Sequence, residues 1–132
     1  MKKLLTALAM ATMIAGTAQA DMTNPVNQAK VESSAEGIAF FSTFNKACGD
    51  TTRQFAVLEK GRKYLGTHFA RPDLYEMDMT IIDMKLNAAI MNIELSKDGK
   101  MQRVMKANPT HPDVKEFCEG FPAKTDEFLT NF

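Results

Sequence analysis

Read at about 100° per residue, the stretch from Leu74 to Leu95 separates into two apolar stripes. Met77, Ile81, Met84, Ala88, Met91 and Leu95 share one stripe; Met79, Ile82, Leu86, Ala89, Ile90 and Ile93 share a second, roughly opposite. Narrow polar seams run between them, with Asp78, Lys85 and Asn92 on one side and Thr80, Asp83, Asn87 and Glu94 on the other. A helix apolar on two sides needs cover on two sides. The pattern therefore predicts a central helix at about 74–97, either in the middle of a bundle or with one face at a subunit interface. Charges interrupt the stretch too often for a membrane span, and alternation fails at Ile81-Ile82 and Ala88-Ala89-Ile90, which argues against a strand.

The remaining chain reads as further helices. Residues 21–30 are polar and expected to be loose, with Asn24-Pro25 able to cap a short turn. Ser33 and Glu36 have the spacing of a capping box, which places the start of a first helix there, with Ile38, Phe41, Phe44 and Cys48 near one face and Gly49 as its stop. Asp50 or Thr51 can cap a second helix carrying Phe55, Leu58 and Leu65, weakened by Gly61 and ended by Gly66. Arg71-Pro72-Asp73 breaks the pattern, and Asp73 with Glu76 repeats the capping spacing before the central helix. Asp98-Gly99 is a turn signal, Met101 to Ala107 is helical in composition, and Asn108-Pro109 ends it. A last helix begins near Pro112, with Val114, Phe117, Cys118 and Phe121 on one face. Gly120 to Pro122 makes a kink or stop before the amphipathic segment Thr125–Phe132. All nine Phe lie outside the central stretch, so the Phe-bearing flanks are natural covers for its two Met-, Ile- and Ala-rich faces.

The N-terminus changes the count. Lys2 and Lys3 precede an apolar run and the small-x-small sequence Ala18-Gln19-Ala20, the layout of a secretory signal peptide over residues 1–20. Cleavage after Ala20 leaves residues 21–132 as a single helical-bundle domain without a second segment long enough to span a membrane. Removing Lys2 and Lys3 leaves 14 basic against 16 acidic side chains, a net of −2, which speaks against nucleic acid or an anionic membrane as partner. Export, to a periplasm above all, also favours a disulfide between Cys48 and Cys118. A redox pair would more often be spaced Cys-x-x-Cys.

Candidate chemistry is sparse. Seven of the ten Met follow the leader, and exported Met-rich chains can hold Cu(I) through thioethers. Met77, Met84 and Met91 rise about 10 Å per step on a helix, however, too far for one ion. Met101 and Met105 alone have the spacing of a local chelate. Core packing is the preferred reading of the methionines. His68 and His111 fall in no ligand pattern. Asp78, Asp83 and Glu94 read as solvated or bridging groups, and Phe132 as a ring folding back onto Phe128 and Phe121. The sequence thus predicts an all-α bundle of four or five helices, closed by one disulfide, with no catalytic, cofactor-binding or metal-binding residues. Its expected role is that of an exported, non-enzymatic interaction protein whose partner is another envelope protein or a second copy (a homodimer). The alternative is a small-ligand or copper carrier using Met side chains.

Overall fold

The computed structural model describes residues 22–96, 102, 104, 106 and 111–132. Within them the chain forms four α-helices: α1 (Pro25–Ala47), α2 (Thr51–Phe69), α3 (Tyr75–Glu94) and α4 (Pro112–Leu129). A single 3-10 turn, Pro72–Leu74, leads into α3. The result is a small all-α bundle closed by a disulfide between Cys48 and Cys118, with Cα atoms 5.5 Å apart and 70 residues of separation. The proposed leader, the Asp98-Gly99 turn, Asn108-Pro109 and the Met101/Met105 pair lie outside the described residues.

Helix α1 starts nine residues before the Ser33–Glu36 signal. Asn24 caps it, its Oδ1 accepting from the Val26 amide at 2.9 Å, and Pro25 occupies the first turn with φ already set for a helix. Ser33 and Glu36 are interior residues, so residues 25–30, expected to be loose, are helical. Burial explains why this segment is held: Met22, Asn27 and Val31 are all enclosed.

The element around which the bundle is built is also α1. From Gly37 to Asn45 every residue is buried, so this half of the helix is covered on all sides rather than along one stripe. Helices α2 and α3 pack along it. Phe40, Phe41 and Phe44 meet Phe117, Phe121 and Phe128 of α4, with Phe41 stacked on Phe128 at 4.2 Å and on Phe121 at 5.4 Å. The Phe-bearing segments therefore pack largely on each other, where the sequence suggested that they sandwich the central stretch. Within this cluster Asn45 Nδ2 donates to Thr125 Oγ1 at 2.8 Å and to the Phe41 carbonyl at 2.7 Å, fixing the register of α4 on α1.

Local chemistry sets the other boundaries. Gly49, at φ +81°, adopts the left-handed conformation that ends α1. One residue later, Asp50 caps α2 by accepting from the Arg53 amide at 3.0 Å. Gly61 does not weaken α2 so much as admit α1. A Cβ at Gly61 would stand 2.7 Å from both Cγ1 and Cδ1 of Ile38. Nor does Gly66 end α2. It lies inside the helix, where a Cβ would come within 2.9 Å of Met79 Sδ, so it is the close-approach point between α2 and α3. Phe55, expected on the buried face, is 62% exposed; Val57, Gly61, Leu65 and Phe69 form that face instead. Helix α4 runs through Pro122 without stopping. Proline deletes one helical hydrogen bond, but Phe121 on one side and Thr125 and Phe128 on the other anchor both halves in the core.

Candidate interaction surface

The two apolar stripes of α3 are in opposite environments. Met79, Ile82, Leu86 and Ala89 are buried against α1 and α2, and Ile90 and Ile93 pack partly against the same core. The opposite stripe is open: Met77 is 51% exposed, Met84 66%, Met91 57% and Leu95 71%. Ala88 between them is exposed too, and Ile81 is half-buried at the edge of the core. The preferred reading of the methionines as core residues therefore holds for Met22 and Met79 and fails for Met77, Met84 and Met91.

Ion pairs tie α3 to its surroundings and favour the orientation in which this face points outward. Asp78 has a fully buried side chain gripped by Arg71, whose guanidinium makes two bonds of 3.0 Å and whose backbone amide adds a third at 2.9 Å. The side-chain bonds from Arg71 outweigh the cost of burial and hold the Asp78 carboxyl below its ordinary value of 3.8. Asp83 receives a two-pronged contact from Arg62 of α2, at 2.8 and 3.1 Å. Lys85 Nζ donates to Glu32 of α1 at 2.6 Å. Thus Asp78, Asp83 and Lys85, three of the polar positions between the two stripes, each hold an ionic partner outside α3, and the bidentate contacts of Asp78 and Asp83 fix direction as well as distance. Glu94 is exposed near the helix end. As expected, these carboxylates bridge or face solvent.

On the far side of the bundle Arg53 joins α2 to α4 through Asp126, at 2.9 and 2.8 Å, while also contacting Asp50 at 2.9 Å. Both carboxyls are held below their usual range: for Asp126 the Arg53 side chain is the main cause, for Asp50 the backbone amide of Arg53.

The remaining candidates are scattered. His111 caps α4, Nδ1 accepting from the Asp113 amide at 3.2 Å. The His68 ring lies 4.4 Å from that of Tyr64, tilted by 45°, and Tyr64 also meets Phe132 at 5.1 Å; Phe132 in turn contacts Phe128 edge-on at 5.0 Å. Lys60, Lys63, Tyr64, Thr67, His68 and Phe132 line an open depression of about 320 Å³. The disulfide borders a second open groove, of about 440 Å³, with Ala47, Gly49, Val114 and Lys115. Among the described residues no group of three or more His, Cys, Asp or Glu side chains is placed to hold a metal ion, and no described helix is long and apolar enough to cross a membrane. The site that sequence reasoning located but did not recognise as open is the Met77–Leu95 stripe; its spacing was legible, its exposure was not. Comparison with protein-family models, with curated proteins and with solved structures gives no match for this chain.

Proposed function

We propose that this chain is an exported, non-enzymatic interaction protein of the cell envelope that docks its partner on the outer face of α3. The observation that carries the reading is the open apolar stripe of Met77, Met84, Met91 and Leu95 on a helix whose other face is in the core. Contiguous exposed apolar surface marks a binding surface, whereas single exposed apolar residues do not. Methionine suits such a role because its unbranched, polarisable side chain adapts to a partner's shape. The paired cysteines agree with folding in an oxidising compartment, and the leader-like residues 1–20 supply the route.

The copper-carrier alternative draws less support. The exposed Met77, Met84 and Met91 lie two helical turns apart, about 10 Å, so each thioether would have to recruit its other ligands elsewhere. The test is a photo-crosslinking amino acid placed at Met84, with Glu116 on α4 as an exposed control, in protein produced with its leader. A discrete crosslinked product from position 84 and none from position 116 supports docking on α3. The same yield from both positions would refute it.

A further inference from the structure

We propose that the outer face of α3 closes against the same face of a second copy of this chain, the two helices running antiparallel. The inference rests on the docking role proposed above and names the occupant. Leu74, Met77, Ile81, Met84, Ala88, Met91 and Leu95 succeed one another at steps of three and four residues, and every one is apolar. That repeat of 3.5 residues is the narrow seam by which one helix packs along another, and is distinct from the broader stripe that covers a globular core. The broader stripe is present as well, on the opposite side, where Met79, Ile82, Leu86 and Ala89 are already buried. What fits the seam is therefore a helix.

The borders of the seam point to a second copy. Partner choice between paired helices is ordinarily set by charges flanking the apolar positions. Here Thr80, Asn87 and Asn92 are uncharged, Asp78 is buried on Arg71, Asp83 is paired with Arg62, and Lys85 is held by Glu32. Asp73 and Glu94, the exposed acids at the border, stand at the two ends, where solvent screens them. Antiparallel pairing brings like charges together on the border, Lys85 near its counterpart or Asp73 near Glu94 depending on the stagger. Each Lys85 is neutralised by its own Glu32, however, and the acids stand at the solvent-screened ends, so the border carries no charge that selects a different chain. A lipid surface fits poorly: helices that lie on membranes carry lysine and arginine beside the apolar face, and the one cation within α3, Lys85, is committed to Glu32.

The antiparallel direction follows from Ala88. In a parallel pair like positions meet, and Ala88 would face Ala88 across a gap. Run antiparallel, the series Leu74, Ile81, Ala88, Leu95 interleaves with the series Met77, Met84, Met91, so the small residue meets a flexible methionine that can fill the space. Over the 20 residues of α3 the seam is about 30 Å long and would cover on the order of 600 Å² on each copy, about 1,200 Å² in all. That is the lower limit of specific interfaces, the range of weak, reversible association.

The test is sedimentation velocity on the purified, disulfide-intact protein across about 1 to 500 μM, with Met84→Lys and Met91→Lys as variants and circular dichroism as the check on folding. The proposal expects reversible dimerisation of the parent, and variants that keep full helicity but stay monomeric throughout. Met77→Cys tests direction. An antiparallel pair keeps the two introduced thiols apart, so rapid oxidation to a covalent dimer would overturn that orientation. A parent that remains monomeric at 500 μM, or variants that still dimerise, would overturn the second-copy assignment. The crosslinker at Met84 then separates the two readings. An adduct of twice the chain mass supports self-pairing, a heavier or lighter adduct with a monomeric parent leaves docking standing with a different occupant, and no adduct with a monomeric parent removes both.

Discussion

Gly61 gives the packing account its sharpest quantitative test. Replacing a glycine inside a helix by alanine ordinarily stabilises by about 1 kcal/mol, because alanine loses less backbone freedom on folding. At Gly61 the new methyl would lie 2.7 Å from two carbons of Ile38 and 3.0 Å from a third. Ile38 is fully buried and β-branched, and in a helix such a side chain has essentially one χ1 rotamer, so it cannot swing away. Overpacking of this kind costs about 1–3 kcal/mol. The balance makes Gly61→Ala destabilising by about 1 kcal/mol. Gly120, in α4, has no atom within 4 Å of its hypothetical Cβ, so Gly120→Ala keeps the helical gain, and the two variants should differ by about 2 kcal/mol. Urea denaturation of both, followed by circular dichroism, reads the difference directly. Ile38→Ala closes the cycle: once the Ile38 carbons are gone, Gly61→Ala should no longer destabilise, giving a coupling within the range of about 0.5–3 kcal/mol seen for residues in contact. Equal stabilisation by Gly61→Ala and Gly120→Ala would show that α1 and α2 do not approach closely at this point.

Three further outcomes follow from the same geometry. Reducing Cys48–Cys118 reopens a ring of about 70 residues, for a loss of up to about 4 kcal/mol in the chain-entropy model; the melting temperature should fall by on the order of 10 °C, and an unchanged melting curve would remove the disulfide from the list of stabilising elements. Asp78, with its carboxyl held below 3.8 in the fold, contributes stability that is complete above the unfolded value and is lost as pH falls below about 4. Asp78→Asn should therefore cost about 2 kcal/mol at pH 7 and flatten the acid limb of a stability–pH profile; an equally steep limb would assign acid sensitivity to other carboxylates, such as Asp50 and Asp126. Asn45→Leu breaks the buried link to Thr125 and the Phe41 carbonyl and should cost about 1–3 kcal/mol in thermal unfolding, whereas a neutral effect would deny that link a role in seating α4.

How far the fold could be read from the sequence depended on how local each signal was. Gly49 and Asp50 marked the α1–α2 corner correctly, because a left-handed stop and a side-chain cap act within a few residues of themselves. The same locality misled at Ser33 and Glu36, whose capping spacing occurs inside a helix that Asn24 and Pro25 had already begun. Gly66 and Pro122 read as terminators because the contacts that override them, Met79 beside Gly66 and the Phe121 and Phe128 anchors around Pro122, come from tertiary packing. The pattern from 74 to 95 gave both stripes of α3 with their right members. Periodicity fixes the angle between two faces but says nothing of what lies against either. Both stripes read as needing cover, and the structure covers the one that holds Met79 and Ile82 and leaves the Met77–Leu95 stripe open. A better marker of the enclosed helix was available in Gly37–Asn45, nine residues without a charge, which α1 buries on every side.

The most direct test of the central account, that α3 turns one apolar face to the core and leaves the other open, is a matched pair of charge substitutions read by circular dichroism and urea denaturation. Ile82 is fully buried, and Met84, two residues on, is 66% exposed. An unpaired charge in the core costs about 3–5 kcal/mol, a large share of the stability of a domain this size, whereas surface substitutions usually fall within about 0.5 kcal/mol. The account predicts that Ile82→Asp unfolds the chain at 25 °C, and that Met84→Asp, measured at a concentration low enough for monomers, unfolds at the parent's urea midpoint. Ile82→Asp folding normally while Met84→Asp does not would contradict it.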